Sequence, residues 1–576
     1  MPSAPVHLVV IHHGLWGSPS NTSFLATTLA KFHGGLVSPS SPLTPPESAS
    51  TISALASDHP NATRTDIRMV VLNSEVNSGD HTYDGIDWCG ERLVKDIYAE
   101  VERIEKEDED GKVGRISLIG YSLGGLVIRY AAGVMYADGF FGRGEGEKRQ
   151  KRNGDEVRKA LPFKSRPVPA SMSTIATPHL GVTVTGSMFS KVAASVGSSN
   201  LGRSGKQLYL ADRGWVPPTA SSTNSTEETL HPDETTTDSG LCLVEALSDP
   251  RFNFITAMRL FSRIDIYANA LSDLTVSYRT ACFEPHDPFL LPDRIQLVRD
   301  TTHPPLLASF TTSATPKKDE RSFWSKIAAR LSTKNLPWML NPQRFPFKFP
   351  LNYLALVALP VLLPVMLGLV VHKLHSDSKV SNRRVEEFER MWAMENGLLT
   401  READGREEED DSLKKVNGKK SSTKKMSKSL KLDKAVRGEL ERKRVSAFLS
   451  AVEAEAEETL REVGEDYIQN NPTSSSSSTS TPIDNARYTP KPNTPTHFPT
   501  LDTFTPSKDE HPLLPTQLRI ISNLNNPSLL PHVKKHLVHF EDVLNSHAVI
   551  IVRTPTMDAH KKGIELIQAF VARFGL

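Results

Sequence analysis

Short, mostly apolar runs of strand length recur along the first half of the chain. They fall at 6–11 (Val-His-Leu-Val-Val-Ile), 67–72, 115–119, 172–176 and 263–269. Strands apolar on both faces predict a sheet covered by helices on both sides, the usual condition of a parallel sheet. Between the second and third runs, apolar residues at 93, 94, 97, 98 and 101 repeat at helical spacing. Residues 132–164 are glycine-rich and charged and read as a surface insertion. Toward the end of the chain, 518–525 reads as strand and turn, 543–552 as an apolar run after a polar turn, and 563–574 as a helix.

The third run leads into Gly120-Tyr121-Ser122-Leu123-Gly124-Gly125, followed by the helix-compatible Leu126-Val127-Ile128-Arg129-Tyr130. Strand, Gly-x-Ser-x-Gly, helix is the order of a nucleophile elbow. It predicts an α/β-hydrolase fold, a mostly parallel sheet with helices on both faces, with Ser122 as nucleophile. The helix would point its positive end at the serine, where negative charge develops in acyl transfer. The run 6–11 ends in His12-His13-Gly14-Leu15-Trp16. A His-Gly after an early strand is where such folds place the second half of an oxyanion hole. The backbone N–H groups of Leu15 and Leu123 are therefore the expected oxyanion donors, supported by His13 and Gly14, with Trp16 shielding the site or packing on it.

An acid is expected after a late strand and before the histidine. Asp273, a few residues past 263–269, fits that order. Asp265 is the alternative but lies within the strand itself. In Thr177-Pro178-His179-Leu180-Gly181, His179 is read as bracing its loop.

Totals narrow the picture. The chain has 576 residues, a formal net charge of +1 and 38% hydrophobic residues. Near-neutral charge argues against a nucleic-acid binder. The modest hydrophobic share predicts one catalytic domain interrupted by poorly ordered insertions. Residues 217–240 and 473–505 are rich in Ser and Thr, 414–434 is lysine-rich and suited to anionic lipid head groups, and 384–399 and 437–463 read as solvated helices. Cys89, Cys242 and Cys282 have no CxxC spacing, which argues against a disulfide framework or a zinc site. The catalytic part is thus expected to face the cytosol, and residues 1–5 carry no basic lead-in to a signal peptide.

One stretch stands apart. In 351–371 Asn352 is the only strongly polar residue. Its length suits a bilayer, since about 20 apolar residues cross one. Pro360 and Pro364 interrupt it, and basic residues flank both ends. A hairpin that enters and leaves one face of a membrane or lipid droplet is the expectation, preceded by an interfacial helix at 323–331.

The elements His13-Gly14, Asp84-Gly85-Ile86, Gly90-Glu91-Arg92-Leu93, the Ser122 elbow, Thr177-Pro178-His179-Leu180-Gly181, Ser204-Gly205-Lys206-Gln207-Leu208 and Tyr267-Ala268-Asn269 together resemble the fungal lipase-like serine esterase family. The resemblance covers about residues 5–285 and a short C-terminal stretch. It implies an α/β-hydrolase acting on acylglycerols or phospholipids without metal or organic cofactor. His547 resembles the family's late histidine, with His532, His536, His539 and His560 as competitors. The implied organisation is a catalytic part at 1–300, a linker at 301–350, the apolar segment 351–371, a charged and Ser/Thr/Pro-rich insertion at 372–510, and a C-terminal part of the same fold at 511–576. The expected activity is a Ser122–Asp273–His547 esterase on a lipid ester at the cytosolic face of a membrane, lipid droplet or endoplasmic reticulum. A general carboxylesterase or thioesterase, a non-catalytic scaffold of the same fold, and a peptidase are the alternatives.

Overall fold

Val6–His12 (β1) is buried along its whole length, and its side chains divide by period two. Val6, Leu8 and Val10 enter one core, while Val9 and Ile11 enter another. In a computed structural model β1 lies inside a sheet with an apolar core on each face. The described residues are 5–41, 68–107, 111–142, 161–183, 197–198, 200–215, 240–291, 295–312, 351–395, 510–543 and 545–574.

The sheet runs β2-β3-β1-β4-β5-β6-β9, with every pairing parallel. Its strands are β1, β2 (Leu36–Val37), β3 (Arg68–Asn73), β4 (Val113–Tyr121), β5 (Val168–Ile175), β6 (Arg263–Asn269) and β9 (Val533–Val538). Helices α2 (Ile86–Glu107), α3 (Leu123–Ala137) and α5 (Asn253–Arg259) cover one face, while α1 (Ser23–Phe32) and α8 (Ile564–Arg573) cover the other. A separate antiparallel pair, β7 (Ile295–Arg299) and β8 (Leu307–Thr312), is tied to the sheet edge by a bridge from Leu306 to Val538. The remaining elements named below are α4 (Gly202–Leu208), α6 (Leu351–Glu395) and α7 (Ser546–Val549).

Four expectations are corrected. Residues 132–137 continue α3, with Ala132 and Met135 fully buried, and Phe140, Phe141 and Phe163 pack into the same core. Only 143–160 of that expected insertion lies outside the described residues. Residues 518–525 are not a strand: Pro515–Leu524 is a helix that buries Ile520, Ile521 and Leu524 at helical spacing. The strand that does form there is β9, whose edge position accommodates Lys534 and Lys535. The apolar segment is not a hairpin: α6 continues through Pro360 and Pro364 to Glu395 without turning back. Among the described residues no helix is long and apolar enough to cross a membrane. Finally, the solvated helix expected at 384–399 is part of α6 as far as Glu395: Glu386, Glu387, Glu389 and Arg390 are exposed, but Val385 is buried, and with Asp377, Ser378 and Ser381 it docks one face on the sheet domain. The expected interfacial helix at 323–331, the insertions at 217–240, 414–434 and 473–505 and the helix at 437–463 fall outside the described residues, apart from Gly240. All three cysteines are free and buried.

The family-like motifs meet as one packing unit. The buried Asp87 carboxylate accepts from Arg203, from Gln207 Nε2 (3.0 Å) and from Trp215 Nε1 (3.0 Å). The Gly85 N–H donates to Ser204 Oγ at 3.0 Å and the Ile86 N–H to Gln207 Oε1 at 2.6 Å. Asp84-Gly85-Ile86 and Ser204-Gly205-Lys206-Gln207 therefore seat α4 on the start of α2.

His7, His12 and His13 are buried in this fold. Burial holds His7 and His13 down to about 4 and His12 well below the ordinary 6.5, the last helped by the neighbouring His13. Each is neutral when folded and binds a proton when unfolded below pH 6.5, so stability must fall as pH drops. We predict that the thermal midpoint, followed by circular dichroism, declines between pH 6.5 and about 4. A midpoint constant over that range would contradict it.

Candidate active site

Ser122 stands where β4 passes into α3, with φ 54° and ψ −125°. A non-glycine residue in the positive-φ region costs about 1–3 kcal/mol. The Ser122 N–H is anchored to the Ile175 carbonyl of β5 at 2.9 Å. Gly124 makes the turn possible, because a Cβ there would collide with the carbonyl oxygens of both His12 and His13. Thus the loop after β1 lies directly on the start of α3.

The C-terminal segment reaches the same point. His547 Nε2 lies 3.1 Å from Ser122 Oγ, and His547 Nδ1 lies 3.0 Å from Asp273 Oδ2. An ionised carboxylate only accepts, so Nδ1 carries the hydrogen and Nε2 presents its lone pair to the serine hydroxyl. Asp273 also accepts from Asn269 Nδ2 (2.8 Å) and from the N–H groups of Thr275 (3.0 Å) and Val276 (2.8 Å). Burial alone would raise its carboxyl, but the charge of His547 and these hydrogen bonds outweigh burial and hold it below the ordinary carboxylate range. Two contacts clip the histidine segment to the aspartate loop: the Ser546 N–H to the Ser272 carbonyl at 2.7 Å and Ser546 Oγ to the Leu271 carbonyl at 3.1 Å. Asn545 caps α7 through the His547 N–H, and Tyr121 OH donates to the His547 carbonyl at 2.9 Å. Tyr121, Asn269 and Asn545 were given no role from sequence. Tyr121 and Asn269 lay within the family-like motifs, and Asn545 had no local signal.

The competing residues are engaged elsewhere. Asp265 accepts from His536 Nε2 at 2.8 Å and pairs with Arg263 within the sheet. His539 Nδ1 faces Arg299 at 3.0 Å, and His560 Nδ1 accepts the Thr554 N–H at 2.9 Å. The carbonyl of His532 accepts the Ile264 N–H at 3.1 Å. His179 is buried between Arg129 and Thr174 and braces its loop.

Across the serine lies the loop His13-Gly14-Leu15. A Cβ on Gly14 would stand 2.8 Å from Ser122 Cβ and 3.3 Å from its Oγ, so the loop backbone closes over the hydroxyl. The Gly14 carbonyl accepts from His13 Nδ1 (3.0 Å) and from the Gly17 N–H (3.1 Å). Because the peptide is trans, the Leu15 N–H points the opposite way. The Leu123 N–H is in the first turn of α3 and has no partner within the helix. Trp16 is 55% exposed at the rim, donating Nε1–H to Tyr83 OH at 2.6 Å, and Leu274 is 69% exposed beside Asp273. Among the described residues no cluster of His, Cys, Asp and Glu could hold a metal ion.

A strained serine at the carboxyl end of a parallel α/β sheet, facing a histidine–carboxylate pair, is the constellation of serine hydrolases. Residues 2–284 match the family model described as "Putative serine esterase (DUF676)". The matched span contains Ser122 and Asp273 and ends before His547. Over 267 residues the chain is 24% identical to the protein named "Putative lipase ROG1" of Saccharomyces cerevisiae (strain ATCC 204508 / S288c), covering 46% of this chain and 30% of that relative. The chain thus aligns with less than a third of the relative's length. The crystal structure of the gene lin2722 product of Listeria innocua is similar at 12% identity and a TM-score of 0.21, over 48% of this chain and 76% of that one. A TM-score that low carries no argument about the fold.

The close approach at Gly124 is testable. Gly124→Ala places a methyl against two backbone carbonyls and should destabilise the protein by about 1–3 kcal/mol. Gly368→Ala adds a methyl where nothing lies within 4 Å and should cost nothing. Urea midpoints of the two variants would show the difference, and equal midpoints would refute the packing argument.

Proposed function

We propose that the chain is a lipase-like serine esterase that hydrolyses acyl ester bonds through Ser122, His547 and Asp273. The observation that carries this reading is the pair of contacts from His547, to Ser122 Oγ and to Asp273, on a chain whose residues 2–284 match the serine esterase family model. Ser122 Oγ forms a bond to the ester carbonyl carbon as its proton passes to His547 Nε2. Asp273 holds the imidazole in the required tautomer and stabilises its charge. The N–H groups of Leu15 and Leu123 receive the oxyanion. Collapse breaks the carbonyl-carbon–oxygen bond, and the alcohol leaves with the proton from His547. Water then attacks the acyl-enzyme by the same proton route and releases the acid.

A lipid ester is the favoured substrate. Trp16 and Leu274 expose apolar surface at the rim, where an acyl chain would enter. The apolar 351–371 begins a helix whose far half packs on the same domain. The pairing of β9, after the segment, with β6, before it, argues against a single crossing. We therefore place the segment against one leaflet of a membrane or a lipid-droplet monolayer, on the cytosolic side with the catalytic domain.

Ser122→Ala should reduce hydrolysis by roughly 10³-fold or more, and Asp273→Asn by a comparable factor, without unfolding. A fluorophosphonate probe should label the wild type and not Ser122→Ala. Labelling that survives the substitution would remove Ser122 as nucleophile, and an unlabelled wild type would favour a scaffold of the same fold. Turnover on emulsified long-chain esters at or below that on soluble short-chain esters would favour a general esterase.

A further inference from the structure

Helix α6 makes its most buried polar contact with the domain at one carboxylate. Asp84 is buried and shared by two guanidinium groups. From α6, Arg384 donates through Nε to Oδ2 and through Nη2 to Oδ1, both at 2.8 Å, and Ser381 Oγ donates to Oδ1 at 2.7 Å. From α2, Arg92 donates through Nη1 to Oδ2 at 2.6 Å. The contacts do not stop there. Arg92 Nε donates to Asn77 Oδ1 at 2.7 Å. An arginine only donates, so the amide is oriented with Oδ1 toward Arg92. Its Nδ2 then faces the Cys89 carbonyl (2.9 Å) and His12 Nε2 (2.8 Å). The buried, neutral His12 must accept at Nε2 and carry its hydrogen on Nδ1, which donates to the His13 carbonyl at 2.8 Å. That carbonyl belongs to the loop closed over Ser122. Every donor and acceptor in this series is dictated by the charged group at its start.

A second path runs in parallel. Arg384 Nη2 donates to the Asp80 carbonyl at 3.1 Å, in the 3-10 turn Gly79–Tyr83. That turn holds the other end of the loop: Thr82 Oγ1 accepts the Trp16 N–H at 3.1 Å, and the Gly79 N–H donates to the Gly17 carbonyl at 2.9 Å. Thus α6 reaches both ends of the loop that bears the Leu15 N–H.

We propose that Arg384 is a positioning residue for the oxyanion hole, acting through Asp84, Arg92, Asn77 and His12, so that docking of helix α6 sets the catalytic competence of Ser122. The proposal rests on the esterase reading above. When Arg384 is absent, Asp84 keeps Ser381 on Oδ1 and Arg92 on Oδ2, the Arg92 fork turns toward the space the second guanidinium leaves, and Asn77 and His12 lose their imposed orientation. The oxyanion donor shifts while the substrate-binding rim stays.

The test uses the full chain with a soluble short-chain ester. Arg384→Met should lower kcat about tenfold to a hundredfold with KM unchanged, the size expected for a misplaced rather than deleted donor. Arg384→Lys keeps the charge but not the fork and should fall between, which also serves if Arg384→Met does not fold. Asn77→Ala should give a similar loss, and the double variant with Arg384→Met should be no worse than the poorer single, since Asn77 lies on a path that Arg384→Met already cuts. Glu389→Gln, also on α6, breaks only the 3.4 Å contact with Arg203 and should leave kcat intact. A readout independent of activity is the histidine ¹⁵N spectrum, in which Arg384→Met and Arg384→Lys should shift the His12 signals. Unchanged His12 signals, multiplicative losses in the double variant, or a kcat within twofold of wild type would overturn the proposal. An absent esterase activity with His12 still shifting would instead overturn the esterase reading and leave the coupling of α6 to the loop intact.

Discussion

The pairing of β9 with β6 is the contact on which the rest of the site depends. It runs in register from Ile264 and Val533 to Asn269 and Val538. Just past each strand end stands a group of the site, Asp273 after β6 and His547 after β9. Parallel strands present their carboxyl ends on one edge, so this pairing delivers the carboxylate and the imidazole to the edge where β4 ends at Ser122. The long stretch of chain between the two strands is a small obstacle, because loop-closure entropy grows only logarithmically and each doubling of length costs about 0.6 kcal/mol. What the pairing requires is that the two strands recognise each other, which the bridge from Leu306 to Val538 and the clip from Ser546 to Ser272 reinforce.

How much of this was legible in the sequence follows from how local each signal is. The elbow was readable because strand, glycines, serine and helix lie within one short stretch. Its strained backbone and the close approach at Gly124 are what those glycines are for. Asp273 and His547 were readable only as positions in a chain order, since nothing near either residue says which carboxylate or imidazole it will meet. The structure brings those two within reach of each other and of Ser122, and Asp265 is absorbed by His536 and Arg263 instead. β9 was missed because Lys534 and Lys535 broke its apolar run, which an edge strand tolerates and an inner strand would not. The helix at Pro515–Leu524 was mistaken for a strand because the β-branched pair Ile520-Ile521 stands in a short apolar run.

The docking of α6 was hidden for a different reason. Its side of the contact is a charged sequence that looks solvated, and its counterpart, Asp84 with Arg92, reads as scaffold. Buried carboxylates are costly unless every oxygen is satisfied. Asp84 and Asp87 reach that state only when α2, α4, α6 and the segment around Trp215 come together. Neither carboxylate could have been matched to its partners from the sequence, because Arg203, Trp215 and Arg384 all lie far along the chain. The hairpin expected at 351–371 gave way to one continuous helix: Pro360 and Pro364 each remove one helical hydrogen bond, and the helix runs on to Glu395.

The order of the strands in the chain also has a consequence in time. Ser122 and Asp273 emerge early during synthesis and can fold with β1 to β6, whereas His547 comes only with the closing strand. Until β9 docks, the Ser122 hydroxyl has no imidazole beside it, so on the proposed reading the nascent domain carries its serine unarmed. The site is completed in one step, with the last strand of the sheet.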